Sequence, residues 1–179
     1  MKAVIKICAL LLIFNLQSCK NLVQNTKNQQ LTTVFDFSTI EKFRNSKSKG
    51  LFINDYDNLF TTVQINELSD IIYNYNLKTT RQIVLVTIDN ITPYTDIQKY
   101  ATDLSNYWGV GTSEKNNGLT ILLCKSCKKI TIVTGTGTQL ILTDEICKKV
   151  IDEKIIPEFK QGNYYTGVKN GLLELIDKW

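Results

Sequence analysis

Tyr107-Trp108-Gly109-Val110-Gly111, followed by Asn116-Asn117-Gly118 and the apolar run Leu119–Leu123, is the stretch on which the fold turns. An apolar helical stripe closes on glycines, a short polar loop follows, and a strand-like run begins. A second strand-like run, Lys129–Thr134, is separated from the first by little more than Cys124-Lys125-Ser126-Cys127, which predicts an antiparallel hairpin. Another glycine-bearing loop, Gly135-Thr136-Gly137-Thr138-Gln139, leaves that hairpin. Ligands gather at such loops in α/β proteins, so the two loops together predict a shared polar rim. The chain contains no histidine, which removes the commonest general base from any chemistry there.

Working outward, Thr95-Asp96 caps a helix whose apolar stripe is Ile97, Ala101, Leu104 and Trp108. Trp108 on that stripe reads as core before it reads as a ligand platform. Ile83–Ile88 is a continuous β-branched and aliphatic run, the pattern of a strand buried on both faces. Before it, Thr61 or Thr62 caps a helix carrying Ile65, Leu68, Ile72 and Tyr75 on one side, and Leu51-Phe52-Ile53 is a short strand broken by Asn54-Asp55. After the hairpin, Thr143-Asp144-Glu145 opens a helix that Pro157 should limit. A last helix carries Val168, Leu172, Leu175 and Ile176. This order predicts an α/β fold: a three-layer α/β/α sandwich with a central mixed sheet of about four strands and helices on both faces.

The chain opens with Lys2 and Lys6 flanking a short apolar run that ends at Leu16-Gln17-Ser18-Cys19. The run is too short for a permanent span, so residues 1–18 read as an export signal. Leu-x-Ser-Cys resembles the lipobox of bacterial lipoproteins, which implies cleavage before Cys19 and lipidation of its thiol. Lys20, a non-acidic neighbour, resembles the outer-membrane sorting pattern of enterobacterial lipoproteins. The expected location is therefore the cell envelope, lipid-anchored on the periplasmic side of the outer membrane. Residues 19–50 are rich in Asn, Gln, Lys, Thr and Ser and read as a tether, leaving 51–179 as the folded domain. Net charge is +4, and loss of Lys2 and Lys6 lowers it to +2. So small an excess, without a basic stripe, excludes nucleic acid as a partner. The expected partners are the membrane, through Cys19, and an unidentified envelope protein.

Three cysteines remain after Cys19: Cys124, Cys127 and Cys147. Cys124 and Cys127 suit a hairpin-tip disulfide in an oxidising compartment, part of a zinc site with Cys147, or two thiols beside a turn. The spacing alone leaves these open.

Several motifs resemble those of TPM domains. Ile53-Asn54-Asp55-Tyr56 before Leu59 resembles the family's V-N-D-Y opening, and Trp108-Gly109-Val110-Gly111 its W-G-I-G. Lys115-Asn116-Asn117-Gly118 resembles K-D-N-G, and Gly135-Thr136-Gly137 resembles G-Y-G. Ile155-Ile156-Pro157-Glu158-Phe159-Lys160-Gln161-Gly162-Asn163-Tyr164 resembles I-I-P-x-F-x-x-G-D-Y. Order and spacing agree from about residue 51 to 176, and the whole looks like a TPM-domain lipoprotein of the Bacteroidota kind. The resemblance implies an α/β/α sandwich outside the cytoplasm. Some members bind calcium in a cleft at the strand ends. Plant thylakoid-lumen members are linked to photosystem repair and a weak acid phosphatase activity, and others serve membrane assemblies as accessory proteins. Here Asn116 stands for the usual Asp, Gln139 for a frequent Glu, Thr136 for Tyr and Asn163 for Asp. Calcium affinity follows ligand charge, so a calcium site should be weak or absent.

With the resemblance, Asp55, Asp57 and Asn117 become candidate metal ligands, and Asn116, Gly118, Gly135, Thr136, Gly137 and Gln139 a ligand-binding rim around them. The competing reading of Asp55 is a turn residue bonded to its own backbone. Two functions are expected from this set. One is a membrane-anchored binding or accessory module with weak divalent-cation binding; the other is a metal-assisted phosphomonoesterase. The shortage of convergent acids favours the first. Both place the working surface where the first strand exit meets the two later turns.

Overall fold

A computed structural model describes Phe37 and residues 52–179 of the chain. The expected export signal of residues 1–18, Cys19 and, Phe37 apart, the expected tether of residues 19–50 lie outside the described residues.

The first strand, β1 (Ile53–Asp55), leads into helix α1 (Thr62–Thr79). Thr61 and Gln64 cap α1 reciprocally: the Gln64 N–H donates to the Thr61 hydroxyl at 3.3 Å, and the Thr61 N–H donates to Gln64 Oε1 at 2.9 Å. This satisfies donors that the first helical turn leaves open. A left-handed Thr80 ends the helix and turns the chain into β2 (Gln82–Ile88). Asp96 caps α2 (Ile97–Trp108), accepting from the Gln98 N–H at 2.8 Å, and left-handed Gly109 closes it. The hairpin β3 (Gly118–Cys124) and β4 (Lys129–Thr134) follows, then α3 (Thr136–Gln139), a single turn inside a loop with no expected helix.

Thr143 caps α4 (Asp144–Val150), with Asp144 and Glu145 at the positive end of its dipole. Pro157 does not limit this helix as expected. The chain widens into a π-helical turn at Ile151–Ile155, where the Ile156 N–H reaches back to the Ile151 carbonyl, and continues as α5 (Ile156–Phe159). An α-helical interior would set the proline ring against the carbonyl four residues earlier. The wider turn changes that spacing and lets Pro157 enter at the start of α5. Helix α6 (Tyr164–Lys178) completes the domain.

The sheet runs β1-β2-β3-β4, with β1, β2 and β3 parallel and β4 antiparallel to β3. Ile53, Leu85, Ile121 and Ile132 are in register and share one face. That face packs into the main core with Leu68 and Ile72 of α1, Val150 of α4, and Val168, Leu172 and Leu175 of α6. Asn54, Val86, Leu122 and Thr131 occupy the opposite face, where α2 lies across β3 and β4. One helix about 10 Å wide spans roughly two strands at about 4.8 Å spacing. The layers are therefore unequal, and no helix among the described residues covers this face over β1 and β2.

Candidate functional site

Asp55 ends β1 with both carboxylate oxygens engaged. Oδ1 accepts from the Leu59 N–H at 2.9 Å and from the Thr87 hydroxyl, and Oδ2 accepts from the Phe60 N–H at 2.9 Å. The Thr87 hydroxyl in turn accepts from the Asp57 N–H at 3.2 Å. Thr87 is fully buried, so these bonds tie the loop after β1 to the middle of the domain.

The glycine loops come together, but at the other end of the sheet. Asp55 is level with Thr87 and Gly118 with Gln82, five residues apart along β2. At about 3.3 Å per residue that is about 16 Å. The expected rim joining Asp55 to the two turns does not exist. The reason is topological: parallel strands put the exit of β1 and the entrance of β3 at opposite ends. A strand–helix–strand order already implies a parallel pair, so this signal was present in the sequence.

Asn117, 7% exposed, has a structural task. Its Oδ1 accepts from the Thr112 N–H at 3.0 Å and the Thr112 hydroxyl at 3.3 Å, while its Nδ2 donates to the Thr80 carbonyl at 3.0 Å. It pins the loop after α2 to the turn after α1. The second loop is locked against the first: the Asn116 carbonyl accepts from the N–H groups of Gly137 and Thr138, and the Gly118 carbonyl from the Gly135 N–H and the Thr138 hydroxyl. A Cβ on Gly137 would lie 1.9 Å from the Lys115 carbonyl oxygen, and one on Gly118 2.1 Å from that of Val110. These glycines permit backbone to touch backbone. The N–H groups of Gly135, Gly137 and Thr138 are spent on that packing. Thr136 and Gln139 lie on the exposed side, where Gln139 Nε2 reaches Asp144 Oδ1 at 3.4 Å.

Asp55, Asp57 and Asn117 therefore do not assemble a calcium site: they are divided between two ends, and the oxygens of Asp55 and Asn117 are committed. Among the described residues, no group of three or more His, Cys, Asp or Glu is placed to hold a metal. Cys124 and Cys127 are joined in a disulfide with Cα atoms 5.2 Å apart, at the Asp55 end of the sheet. Cys147 packs in the core on the other face, which separates it from that pair and removes the three-cysteine zinc arrangement. Burial, with Asp144 adding to it, pushes its thiol up to about 11.

The face over β1 and β2, free of helices among the described residues, holds a cleft of about 310 Å³. Phe52, Asn54, Asn76, Gln82, Val84, Trp108, Gly109 and Val110 line it. None carries a charge. Asn54 is 9% exposed and Trp108 6%, and the buried Trp108 Nε1–H has no hydrogen-bond partner among the described residues. The Gln82 Oε1 accepts from the Gly111 N–H at 2.9 Å, and Asn76 Nδ2 donates to the Arg81 carbonyl at 2.9 Å. The Gln82 Nε2 and Asn76 Oδ1 remain available. Sequence reasoning missed Asn54, Asn76 and Gln82. For Asn54 and Gln82 the available signal was an amide among apolar residues on an inward strand face, whereas Asn76 sits near the end of α1.

The cleft sits in a recognisable domain. A family profile described as the TPM domain matches residues 53–178. The N-terminal domain of a protein from P. gingivalis is 25% identical with a TM-score of 0.65, the match covering 70% of this chain and 79% of that one. A protein from the psychrophilic bacterium Bizionia argentinensis is 19% identical with a TM-score of 0.57, covering 69% and 83%. The N-terminal domain of a Corynebacterium glutamicum protein is 14% identical with a TM-score of 0.56, covering 70% and 77%. Comparison with curated proteins returns no match. The profile spans well over half of the chain, and on that ground the chain belongs to the TPM-domain family.

Proposed function

We propose that this chain is a membrane-tethered binding module of the bacterial cell envelope. Cys19 carries the lipid, the residues between it and Phe37, which packs against Tyr94, Tyr100 and Tyr107, give reach, and the TPM domain receives a ligand or an envelope partner. The observation that carries the binding part is the cleft beside Trp108. It is concave, buried at its base and furnished with uncommitted amides, yet lined by no acid, base or nucleophile. Such a site recognises without supplying the groups that hydrolysis needs. The anchoring part is supported by the basic start, the apolar run and the Ser18-Cys19 junction.

A phosphomonoesterase built on Asp55 would have to break that carboxylate's bonds to Leu59, Phe60 and Thr87 before it could hold a metal or attack phosphorus. Weak calcium binding by exposed acids is compatible with the module and requires no dedicated site. Phosphomonoester hydrolysis by the full chain, measured with calcium, with magnesium and with chelator, is the test. We expect no turnover above buffer in any arm. Turnover lost in Asp55→Asn, with the fold retained, would overturn the proposal. Membrane fractionation of wild type and Cys19→Ser checks the anchor: the variant should leave the membrane fraction.

A further inference from the structure

The two sulfurs of the Cys124–Cys127 bridge are not equivalent. Cys124 ends β3 and is fully buried, while Cys127 is partly exposed at the hairpin tip. Independently of the cleft, we infer that this bridge is a reversible thiol–disulfide exchange site, opened at Cys127 by a protein dithiol of the thioredoxin type. Exchange passes through three sulfurs in line, so access decides that Cys127 is attacked and Cys124 leaves. The surroundings of Cys124 Sγ fit that leaving role. The Cys127 N–H donates to it at 3.3 Å, and the Ser126 hydroxyl lies 3.6 Å away. Lys125, Lys128 and Lys129 flank the pair in sequence and set a positive local charge against Asp89, which favours a thiolate.

The Asp89 carbonyl suits a protonated sulfur instead. It lies 3.4 Å from Cys124 Sγ and 4.0 Å from Cys127 Sγ, and it already accepts from the Ser126 hydroxyl. A bridged sulfur has no proton to give, so this acceptor serves the sulfurs only once they are thiols. The tip thus holds partners for both redox forms. Its loop is so short that opening it frees little chain, and the β3–β4 ladder from Leu119 to Cys124 remains to hold the fold. In the reaction, one thiolate of the reductant attacks Cys127 Sγ. A bond forms between them, the Cys124–Cys127 bond breaks, and its electron pair goes to Cys124 Sγ, which takes a proton from solvent. The reductant's second thiolate then attacks its own sulfur in the mixed disulfide, and Cys127 leaves and is protonated. Two electrons and two protons reach this chain, and the reductant's dithiol becomes a disulfide.

The test uses the isotope-labelled full chain and a bacterial thioredoxin as the protein dithiol. Reduced thioredoxin should open the bridge without denaturant, and oxidised glutathione should close it again. NMR amide shifts between the two forms should stay confined to the hairpin tip and Asp89. Thioredoxin lacking its second cysteine should be captured as a mixed disulfide, which peptide mass mapping should place on Cys127 at least about tenfold over Cys124. Cys147, buried in the core, is the internal control and should carry no adduct. Cys127→Ser should abolish the capture; if that variant does not fold, the cycle and the capture with wild type decide alone. A bridge that opens only after urea has unfolded the domain is purely structural and overturns the inference. So does reduction that collapses the amide spectrum, reduction that oxidised glutathione does not reverse, or capture on Cys124.

Discussion

Asp55 accepts the hydroxyl proton of Thr87 across the β1–β2 pair, and the same carboxylate holds the N–H groups of Leu59 and Phe60. One side chain thus ends a strand, shapes the following loop and closes the valence of a buried threonine. We expect Asp55→Ala to destabilise the domain by about 2–3 kcal/mol, since it strips partners from several donors at once. Thr87→Val, which removes only the hydroxyl, should cost about 1 kcal/mol. Urea unfolding of both variants checks this. A stability loss in Asp55→Ala no larger than in Thr87→Val would contradict the tie described here.

The two glycine loops give a contrast within one protein. Gly137→Ala drives a methyl into the Lys115 carbonyl and must move backbone, so we expect a loss of about 3 kcal/mol or more, or failure to fold. Gly109→Ala meets no atom within 4 Å and has only the left-handed backbone to tolerate at φ +61°, which costs about 1 kcal/mol. Thermal melts of the pair should separate them clearly.

Alkali should unfold the domain early. Burial pushes the Tyr100 phenol from 10.0 to about 12, and the Cys147 thiol from 9.0 to about 11. In both cases the folded chain keeps its proton where the unfolded chain has lost it. Their contribution is complete below the unfolded values and falls as pH rises, first through the Cys147 window and then through that of Tyr100. Unfolding midpoints followed from pH about 8 to 12 should decline progressively above about 9, and Cys147→Ala should remove the first part of the decline.

The Cys124–Cys127 bridge closes a very short loop. The chain-entropy account gives about 2 kcal/mol for a loop of this length, a modest contribution beside a full core. Reductant should lower the melting temperature by several degrees without abolishing cooperative unfolding, and Cys127→Ser should do the same without reductant. Loss of the folded state on reduction would show that the hairpin tip matters more than its loop length implies.

The sequence by itself determined the elements. Thr61, Asp96 and Thr143 cap the helices that their positions predict, Gly109 closes α2, and the runs at Ile83–Ile88 and Leu119–Cys124 are strands. Each of these signals is carried by residues a few positions apart, and the bonds that express them are equally local. Only the tertiary structure decided what meets what. The family resemblance puts Asp55 and Asn117 on one rim, yet strand direction sends them to opposite ends. Pro157 reads locally as a stop, but packing of Ile155 against Gly171 and the rest of α6 holds the widened turn that carries the chain past it. Asn54, the Asn76–Gln82 turn and Trp108 are far apart in the chain, and no local pattern links the three. They converge because one helix covers half of a four-stranded face, and burial, unlike capping, is a property of the whole domain.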